Sequence, residues 1–382
     1  MLRGLGTVLL FAVVALCLTI SIVPHFLDAR YYRGVVTDHF DGERFINPDG
    51  DDGLPVNAGV ATMWRYFTGN DGRPIWPKRV ITASAKPPAR VDGARMLVTW
   101  IGHSSVLVQT GGLNILTDPV WSDSAGPWGF GPTRVAAPGV RFADLPKIDL
   151  VLVSHNHYDH MDLATLKKLW DRDRPVIVTS LGNDSVIGQA GVPARALDWG
   201  GRVTIAPGVE VIVNRGHHWD SRWFADRNRA LWSSFVVKLP GGNLFFAGDT
   251  GAGDFKWADQ AASYGPIRLA LIPIGAFRFA AGQMAAGSHV GPVDALEMYR
   301  RLGASRAIAI HWGTFRLSYE AWDTPPKLLA AAKACTGQRG FDAVPRGRTV
   351  EVPAYTPRPV RPTMLRDALL KCLDTPQVAA LR

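Results

Sequence analysis

The sequence is poor in cysteine, and its cysteines are too far apart to form a metal site together. Only Cys17, Cys335 and Cys372 occur among 382 residues. Zinc sites built from cysteine use pairs a few residues apart, so that class of site is excluded. A disulfide between Cys335 and Cys372 stays open, since such a bond would need an oxidising compartment.

Acidic residues are fewer than basic ones, 33 against 42, and the net charge is +9. A basic protein favours anionic partners such as nucleic acid or acidic lipid. The sequence lacks a Lys/Arg-rich run and an RNA-binding signature, so we expect no nucleic-acid partner.

Charge is missing altogether from residues 4–23, which are mostly Leu, Val, Ala, Phe and Ile. About 20 helical residues, each rising about 1.5 Å, cross a hydrocarbon core of about 30 Å. We therefore predict a single-pass N-terminal transmembrane anchor over residues 1–24, with the side of the membrane unassigned. A cleaved signal peptide, which would make the protein secreted or periplasmic, is the alternative.

The remaining chain divides into three parts that differ in composition and in the periodicity of apolar residues. Residues 25–90 are rich in Gly, Pro, Asp and Trp with little periodicity, which predicts an extension packed on a core. Over residues 91–355, short apolar runs alternate with helical stretches, which predicts an α/β (α+β) domain of sheets covered by helices. Residues 356–382 predict a C-terminal tail with a short helix.

Three histidines and a carboxylate are concentrated in residues 154–162, SHNHYDHMD. The β-branched apolar run before them predicts a buried strand, and Asp162 is a good N-cap for the helical pattern after them. Imidazole and carboxylate together suit zinc or another first-row divalent ion. This segment, the histidine loop, therefore predicts metal ligands at His155, His157, Asp159 and His160.

Three later strands also end in a possible ligand. Residues 209–213 are followed by His217 and His218, residues 244–247 by Asp249, and residues 307–310 by His311. Any one of them alone would more often be a capping aspartate or a core histidine. Four such strand ends together predict one shared metal centre, because loops of this kind gather at one edge of a sheet.

These motifs, in this order, resemble the metallo-β-lactamase fold hydrolases. More narrowly, they are similar to the N-acylphosphatidylethanolamine-hydrolysing phospholipases D. The matching segments are residues 99–104, 116–119, 154–160, 218–222, 245–251, 272–276, 289–290 and 309–315. Residues 44–48 also resemble the N-terminal extension of that family.

The resemblance implies an αββα sandwich, here preceded by the transmembrane helix, with two zinc ions at its edge and iron or manganese as alternatives. One ion would be held by His155, His157 and His218, the other by Asp159, His160 and His311, with Asp249 bridging them. His218 is preferred to His217 because the family has histidine directly before tryptophan. His289 matches a substrate-pocket histidine that assists the leaving group or holds phosphate, and His103 is expected to brace a loop.

The implied chemistry is attack on phosphorus by a hydroxide that bridges the two ions. Asp159 or Asp249 would position it or accept its proton, and the products would be phosphatidic acid and an N-acylethanolamine. The expected partners are a membrane and its phospholipid, and a homodimer stays open.

Aromatic residues occur in loops near the predicted metal edge, and among them Trp219 and Phe277 are candidate substrate contacts. The set comprises Trp121, Trp128, Phe130, Trp219, Trp223, Phe224, Phe277 and Phe279. Aromatic side chains there would enter a membrane interface or line an acyl groove. The alternative at each position is packing within the loops.

Two other functions compete with lipid hydrolysis. One is a lactonase or another small-substrate hydrolase of the same fold, because the metal ligands do not discriminate between substrates. The other is a membrane-anchored scaffold with a degenerate site, which the complete set of seven ligand positions disfavours.

Overall fold

The structure, a computed structural model, describes residues 2–50, 72–223, 225–279, 287–357 and 364–381. Residues 51–71 of the predicted extension, Phe224 among the loop aromatics, and residues 358–363 of the predicted tail lie outside the described residues.

Within these described residues, fourteen strands form two mixed sheets of seven strands each. The first sheet has the order β14-β1-β2-β3-β4-β5-β6, and its strands are β1 Met96–Gly102, β2 Ser105–Thr110, β3 Leu113–Thr117, β4 Leu150–Val153, β5 Val176–Ser180, β6 Arg195–Leu197 and β14 Thr349–Glu351. The second has the order β13-β12-β11-β10-β9-β8-β7, and its strands are β7 Arg202–Ala206, β8 Val209–Asn214, β9 Ser234–Lys238, β10 Asn243–Phe246, β11 Ile267–Pro273, β12 Arg306–Ile310 and β13 Phe341–Asp342.

Eight α-helices are present in the described part of the chain. They are α1 Leu2–Leu27, α2 Leu163–Asp173, α3 Asn183–Gly188, α4 Lys256–Ser263, α5 Pro292–Arg301, α6 Thr324–Thr336, α7 Arg366–Leu373 and α8 Pro376–Ala379. Asp162 caps α2 by accepting a hydrogen bond from the Thr165 backbone amide, as its position before the helical pattern predicts.

The two sheets pack face to face, and the helices cover their outer faces. In β10, Leu244 and Phe246 point into the core between the sheets, while Phe245 points outward to the helices. This alternation follows from the two-residue period of a strand. Helices α2 and α3 cover the first sheet, and α4 to α7 cover the second. The predicted αββα sandwich is confirmed, and within its first sheet β1, β2 and β3 are antiparallel neighbours.

Strand direction brings the predicted ligand segments to one edge of the second sheet. Strands β10, β11 and β12 are mutually parallel. Strand β8 is antiparallel to β9, which is antiparallel to β10, so β8 runs in the same direction as β10 and β12. The chain therefore leaves all three ligand-bearing strands at the same edge. Gly248, with a φ of +60°, lies so close to Ser154, the first residue after β4, that a β-carbon would be 2.5 Å from the Ser154 β-carbon.

The first helix, α1, lies apart from the sandwich. An 18-residue stretch within residues 4–27 has a mean hydropathy of 2.6, and none of that stretch is buried against the protein. Its length and composition suit a membrane anchor or a signal segment. At the other end of the chain, Cys335 on α6 and Cys372 on α7 form a disulfide, a bond that persists in oxidising compartments.

Candidate metal centre

The histidine loop is held in shape by contacts from both sides. Asp118, at the end of β3, accepts hydrogen bonds from the Ser154 backbone amide at 2.8 Å and from the Ser154 hydroxyl at 2.6 Å. Arg222 donates to the carbonyl oxygens of Asn156 and Met161, at 2.9 and 2.8 Å. The loop is thereby fixed at its start and its end, which aims several side chains at one point.

All seven predicted ligands lie together at the sheet edge in overlapping groups. In each group the possible ligand atoms lie within 4.8 Å of one another, and the groups include His155, His157 and His218; His155, His160 and Asp249; and Asp159, His160, His311 and His103. Asp249 is central, with its Oδ2 atom 3.1 Å from His160 Nε2, 2.9 Å from His311 Nε2 and 4.0 Å from His218 Nε2. The arrangement suits two cations that share one carboxylate.

The ring nitrogens that face away from the cluster are held by oxygen atoms. His218 Nδ1 and His311 Nδ1 each lie 2.8 Å from a carbonyl oxygen, of Ser288 and Gly275 respectively. A carbonyl oxygen only accepts, so each Nδ1 carries a proton, and Nε2 is the nitrogen left to bind a metal ion. His160 Nδ1 likewise lies 2.6 Å from Asp118 Oδ2. Holding the second nitrogen in this way is typical of histidines that bind metal.

The inward-facing nitrogens are buried and poorly satisfied, which is the test of whether a metal fits. The Nε2 atoms of His160, His218 and His311 have no hydrogen-bond partner among the described residues. Two of them are close to Asp249 Oδ2, but not in line for a hydrogen bond. Buried polar atoms without partners are costly, and a divalent ion would satisfy them. The donor set therefore fits the metals that the sequence predicts.

The electrostatics of the cluster also favour a bound cation. Burial lowers the pKa of His157 and of His218 to about 3, so both are neutral donors. Burial opposes charge on His311 too, but the carboxylates of Asp249 and Asp159 outweigh it and raise the pKa of His311 to about 9. Burial likewise opposes charge on Asp249, yet His160 and His311 hold its pKa well below the ordinary value. Metal ligands are ionised carboxylates and neutral imidazoles, so a bound cation would replace the proton that the carboxylates draw onto His311.

His217 and His218 point in different directions. His218 faces the cluster, whereas His217 Nδ1 lies 3.1 Å from Asp49 Oδ2 in the N-terminal extension. The Asn47 side chain donates to the His218 carbonyl oxygen at 2.9 Å. The N-terminal extension therefore orients this pair of histidines, and only His218 lies with the other ligands.

The structure identifies contributors for which the sequence predicts no role, above all Asp118. It is fully buried and bonds both Ser154 and His160. Asp118 and His311 have φ values of 30° and 60°, a conformation that non-glycine residues rarely adopt and that concentrates at functional sites. A carboxylate directly after an apolar strand was the available signal. Arg222 lies in a recognised motif, but nothing in the sequence indicates which atoms it contacts.

The Asp118→Asn variant is expected to bind metal about 10- to 100-fold more weakly, because His160 Nδ1 loses the carboxylate that holds it. Competition with a chromogenic chelator measures this affinity. Asp123→Asn is the matched control, since Asp123 is exposed in the following loop. Equal metal affinity in Asp118→Asn and Asp123→Asn would show that Asp118 does not orient His160.

The predicted substrate-side residues lie in different environments. His289 lies beside the cluster, with its Nδ1 atom 3.8 Å from Asp249 Oδ2. The Trp219 ring is 4.3 Å from the ring of His157, at the more open side of the site. Phe277, in contrast, is fully buried in the core under the helices, so the structure does not bring it to the site. His103 Nε2 lies 2.8 Å from Asp159 Oδ2 and braces that ligand.

The Phe277 side chain points into the core because a buried carboxylate fixes the backbone of its loop. The Glu320 carboxylate accepts hydrogen bonds from the backbone amides of Phe277 and Arg278, at 3.1 and 3.0 Å. The aromatic ring of this loop that does reach the site is Phe279, which lies 5.8 Å from the His289 ring and is 46% exposed.

Comparison with known proteins places the chain in a class. The family model described as "Beta-lactamase superfamily domain" matches residues 113–312, more than half of the 382 residues. The chain belongs to this superfamily, and its two-sheet sandwich is the metallo-β-lactamase fold. As a member of this superfamily, the protein is a metal-dependent hydrolase.

The chain has homologues among the N-acylphosphatidylethanolamine-hydrolysing phospholipases D. N-acyl-phosphatidylethanolamine-hydrolyzing phospholipase D 1 of Caenorhabditis elegans is 30% identical to this chain over 243 residues, which cover 61% of this chain and 68% of the relative. An uncharacterized protein of Mycobacterium tuberculosis is 33% identical over 305 residues, which cover 75% of this chain and 80% of the relative.

Solved structures support the fold alone, because their sequences are distant. The isothiocyanate hydrolase from Delia radicum gut bacteria has a TM-score of 0.53 and 19% identity, over 67% of this chain and 98% of that one. CmlA, a diiron β-hydroxylase from Streptomyces venezuelae, has a TM-score of 0.51 and 18% identity, over 68% of this chain and 54% of that one.

Proposed function

We propose that this protein is a zinc-dependent phosphodiesterase of the phospholipase D type. Its substrates would be N-acylphosphatidylethanolamine-like glycerophospholipids, and its products phosphatidic acid and N-acylethanolamine. The observation that carries the proposal is the cluster of seven candidate ligands centred on Asp249, of which five are buried and His157 and Asp159 are partly exposed. The similarity to the C. elegans enzyme supports the choice of substrate.

The position of each ligand determines which of the two ions it would hold. His155, His157 and His218 would hold one ion, and Asp159, His160 and His311 the other, with Asp249 shared. Two bound divalent ions would supply hydroxide near neutral pH and offset charge on a phosphoryl oxygen.

The remaining groups would orient the substrate and the proton transfers. Asp159 is held by His103 at 2.8 Å and is partly exposed, so it is placed to accept or position a proton. Burial lowers the pKa of His289 to about 3, so His289 is neutral and its ring would orient the phosphate or the leaving group by hydrogen bonding. Trp219, at the open side, would contact the substrate.

Incubation of the purified full-length protein with N-acylphosphatidylethanolamine in mixed micelles tests this function. We expect release of phosphatidic acid and N-acylethanolamine, detected by mass spectrometry, and its loss after treatment with a chelator. Ordinary phosphatidylethanolamine and a set of lactones are run in parallel. Chelator-sensitive opening of a lactone, without release of phosphatidic acid, would replace the phospholipase with the lactonase.

The metal is tested in the same preparation. Zinc at about two ions per chain is the expected content for a two-metal hydrolase. Iron or manganese at that ratio would support the two-metal site and would show that the metal is not zinc. If the purified protein holds no metal and has no hydrolase activity, the remaining interpretation is a membrane-anchored scaffold with a degenerate site.

A further inference from the structure

We infer that Trp128, Phe130 and Trp223 form a membrane-docking face, fixed relative to α1, that holds the open side of the metal centre against the bilayer in which α1 is anchored. The purpose of this face rests on the proposed lipid substrate, but its existence does not. Below, these three residues are called the aromatic face.

Two of these side chains project from a well-formed loop. Trp128 is 83% exposed and Phe130 is 73% exposed. The base of their loop is closed by a bridge between Ser124 and Thr133 and by a 2.9 Å hydrogen bond from the Ala125 amide to the Pro132 carbonyl. Trp128 also has a φ of 51°, which is uncommon for a bulky residue and has an energetic cost. A closed loop that displays two large aromatic rings to water suggests a partner surface.

The aromatic face is continuous with the rim of the metal centre. The Trp128 ring lies 5.5 Å from the Trp223 ring, which lies 6.4 Å from the ring of Tyr158. Tyr158 stands between His157 and Asp159, and these three residues are the partly exposed members of the histidine loop. A surface that covers the aromatic face would therefore also lie next to the opening of the site.

The end of α1 is tied directly to the segment that carries Trp223. Asp28, the first residue after α1, accepts hydrogen bonds from Arg229 at 2.6 and 2.8 Å. Tyr31 donates from its hydroxyl to Asp226 Oδ2 at 2.7 Å, and Asp226 Oδ1 accepts from the Trp223 amide at 2.8 Å. Through these contacts of Asp28 and Tyr31, the described residues couple the end of α1 to the Trp223 side of the aromatic face.

A lipid surface is the occupant that these contacts favour. Residues 4–26 of α1 are mostly apolar and are all exposed, and a bilayer is the environment that satisfies such a helix. A face fixed within a few residues of the end of this helix would then lie at the membrane–water interface, where tryptophan and other aromatic side chains are favoured. The net charge of +9 suits an anionic leaflet. The enzyme would then act on lipids of its own membrane.

Depth measurements on the full-length chain test the aromatic face without reference to activity. A spin label is attached to cysteine introduced as Trp128→Cys or Phe130→Cys, in a Cys17→Ser background, in vesicles of phosphatidylcholine and phosphatidylglycerol at about 3:1. Ala330→Cys is the control, because Ala330 is exposed on α6, on the far side of the second sheet. We expect labels at 128 and 130 to collide more with oxygen than with a water-soluble nickel chelate, and the reverse at 330. Collision with the nickel chelate at 128 and 130 equal to that at 330 would refute membrane contact.

Activity measurements then separate this inference from the proposed function. The double variant Trp128→Ser/Phe130→Ser is expected to hydrolyse vesicle lipid roughly tenfold more slowly or worse, because it loses buried apolar area at the interface. Its hydrolysis of water-soluble bis(p-nitrophenyl) phosphate should match wild type, which also shows that the variant is folded. An equal loss of hydrolysis on both substrates, or no loss on either, would contradict membrane docking by the aromatic face. A wild-type protein that cleaves neither substrate would overturn the proposed function, while the depth measurement would still decide the face.

Discussion

The Asp249→Ala variant is expected to lose hydrolysis by about a thousandfold or more, since metal centres contribute several kcal/mol of transition-state stabilisation. The reason is the position of Asp249. Its Oδ2 atom lies between the histidines of both ligand sets, at 2.9 Å from His311 and 4.0 Å from His218. Removing this carboxylate therefore weakens both halves of the site, whereas removing a peripheral histidine would weaken one.

Metal content must fall with activity if Asp249 bridges two ions. Elemental analysis after gel filtration should show fewer than two ions per chain, against about two in the wild type. Asp259→Ala is the matched control, because Asp259 lies on α4 and its side chain is 52% exposed. An Asp249→Ala protein that keeps both its metal and its activity would exclude Asp249 as a shared ligand.

The neighbouring pair His217 and His218 is expected to separate metal binding from stability. His218→Ala should lower activity by about a hundredfold or more and reduce bound metal, because it removes a ligand from one ion. His217→Ala should keep the metal and lower the free energy of unfolding by about 1–3 kcal/mol, since it leaves the buried Asp49 carboxylate without one of its partners.

Two measurements on each variant make this comparison decisive. Metal content and thermal unfolding are recorded for His217→Ala, His218→Ala and wild type. If His217→Ala loses the metal and His218→Ala does not, the ligand assignment is reversed. If both lose it equally, the two histidines act as one unit and the distinction drawn from the structure is wrong.

The residue types of the metal centre could be predicted from the sequence. The four strand ends that carry His155 to His160, His218, Asp249 and His311 are recognisable because apolar strands and polar loops alternate strongly in this chain. The fold class followed from the same alternation. The short elements β6, β13 and α8 have no such signal in the sequence, because segments of two to four residues show too little periodicity.

Side-chain direction could not be predicted in the same way. Phe277 and Phe279 lie two residues apart in one loop, yet one is fully buried and the other is 46% exposed. The difference arises from Glu320, more than forty residues later in the chain, which fixes the backbone amides of Phe277 and Arg278. No local pattern carries that information.

The sequence by itself therefore determined the chemistry available to this protein: a histidine- and aspartate-rich metal site on a sandwich fold behind an apolar N-terminal helix. The tertiary structure alone decided how those groups are aimed. It separates His218 from His217 through Asn47 and Asp49, it supplies Asp118 as the partner of His160, and it ties the end of α1 to the loop of Trp223. The physical reason is that ligand type is a property of single residues, whereas orientation depends on contacts between residues far apart in the chain.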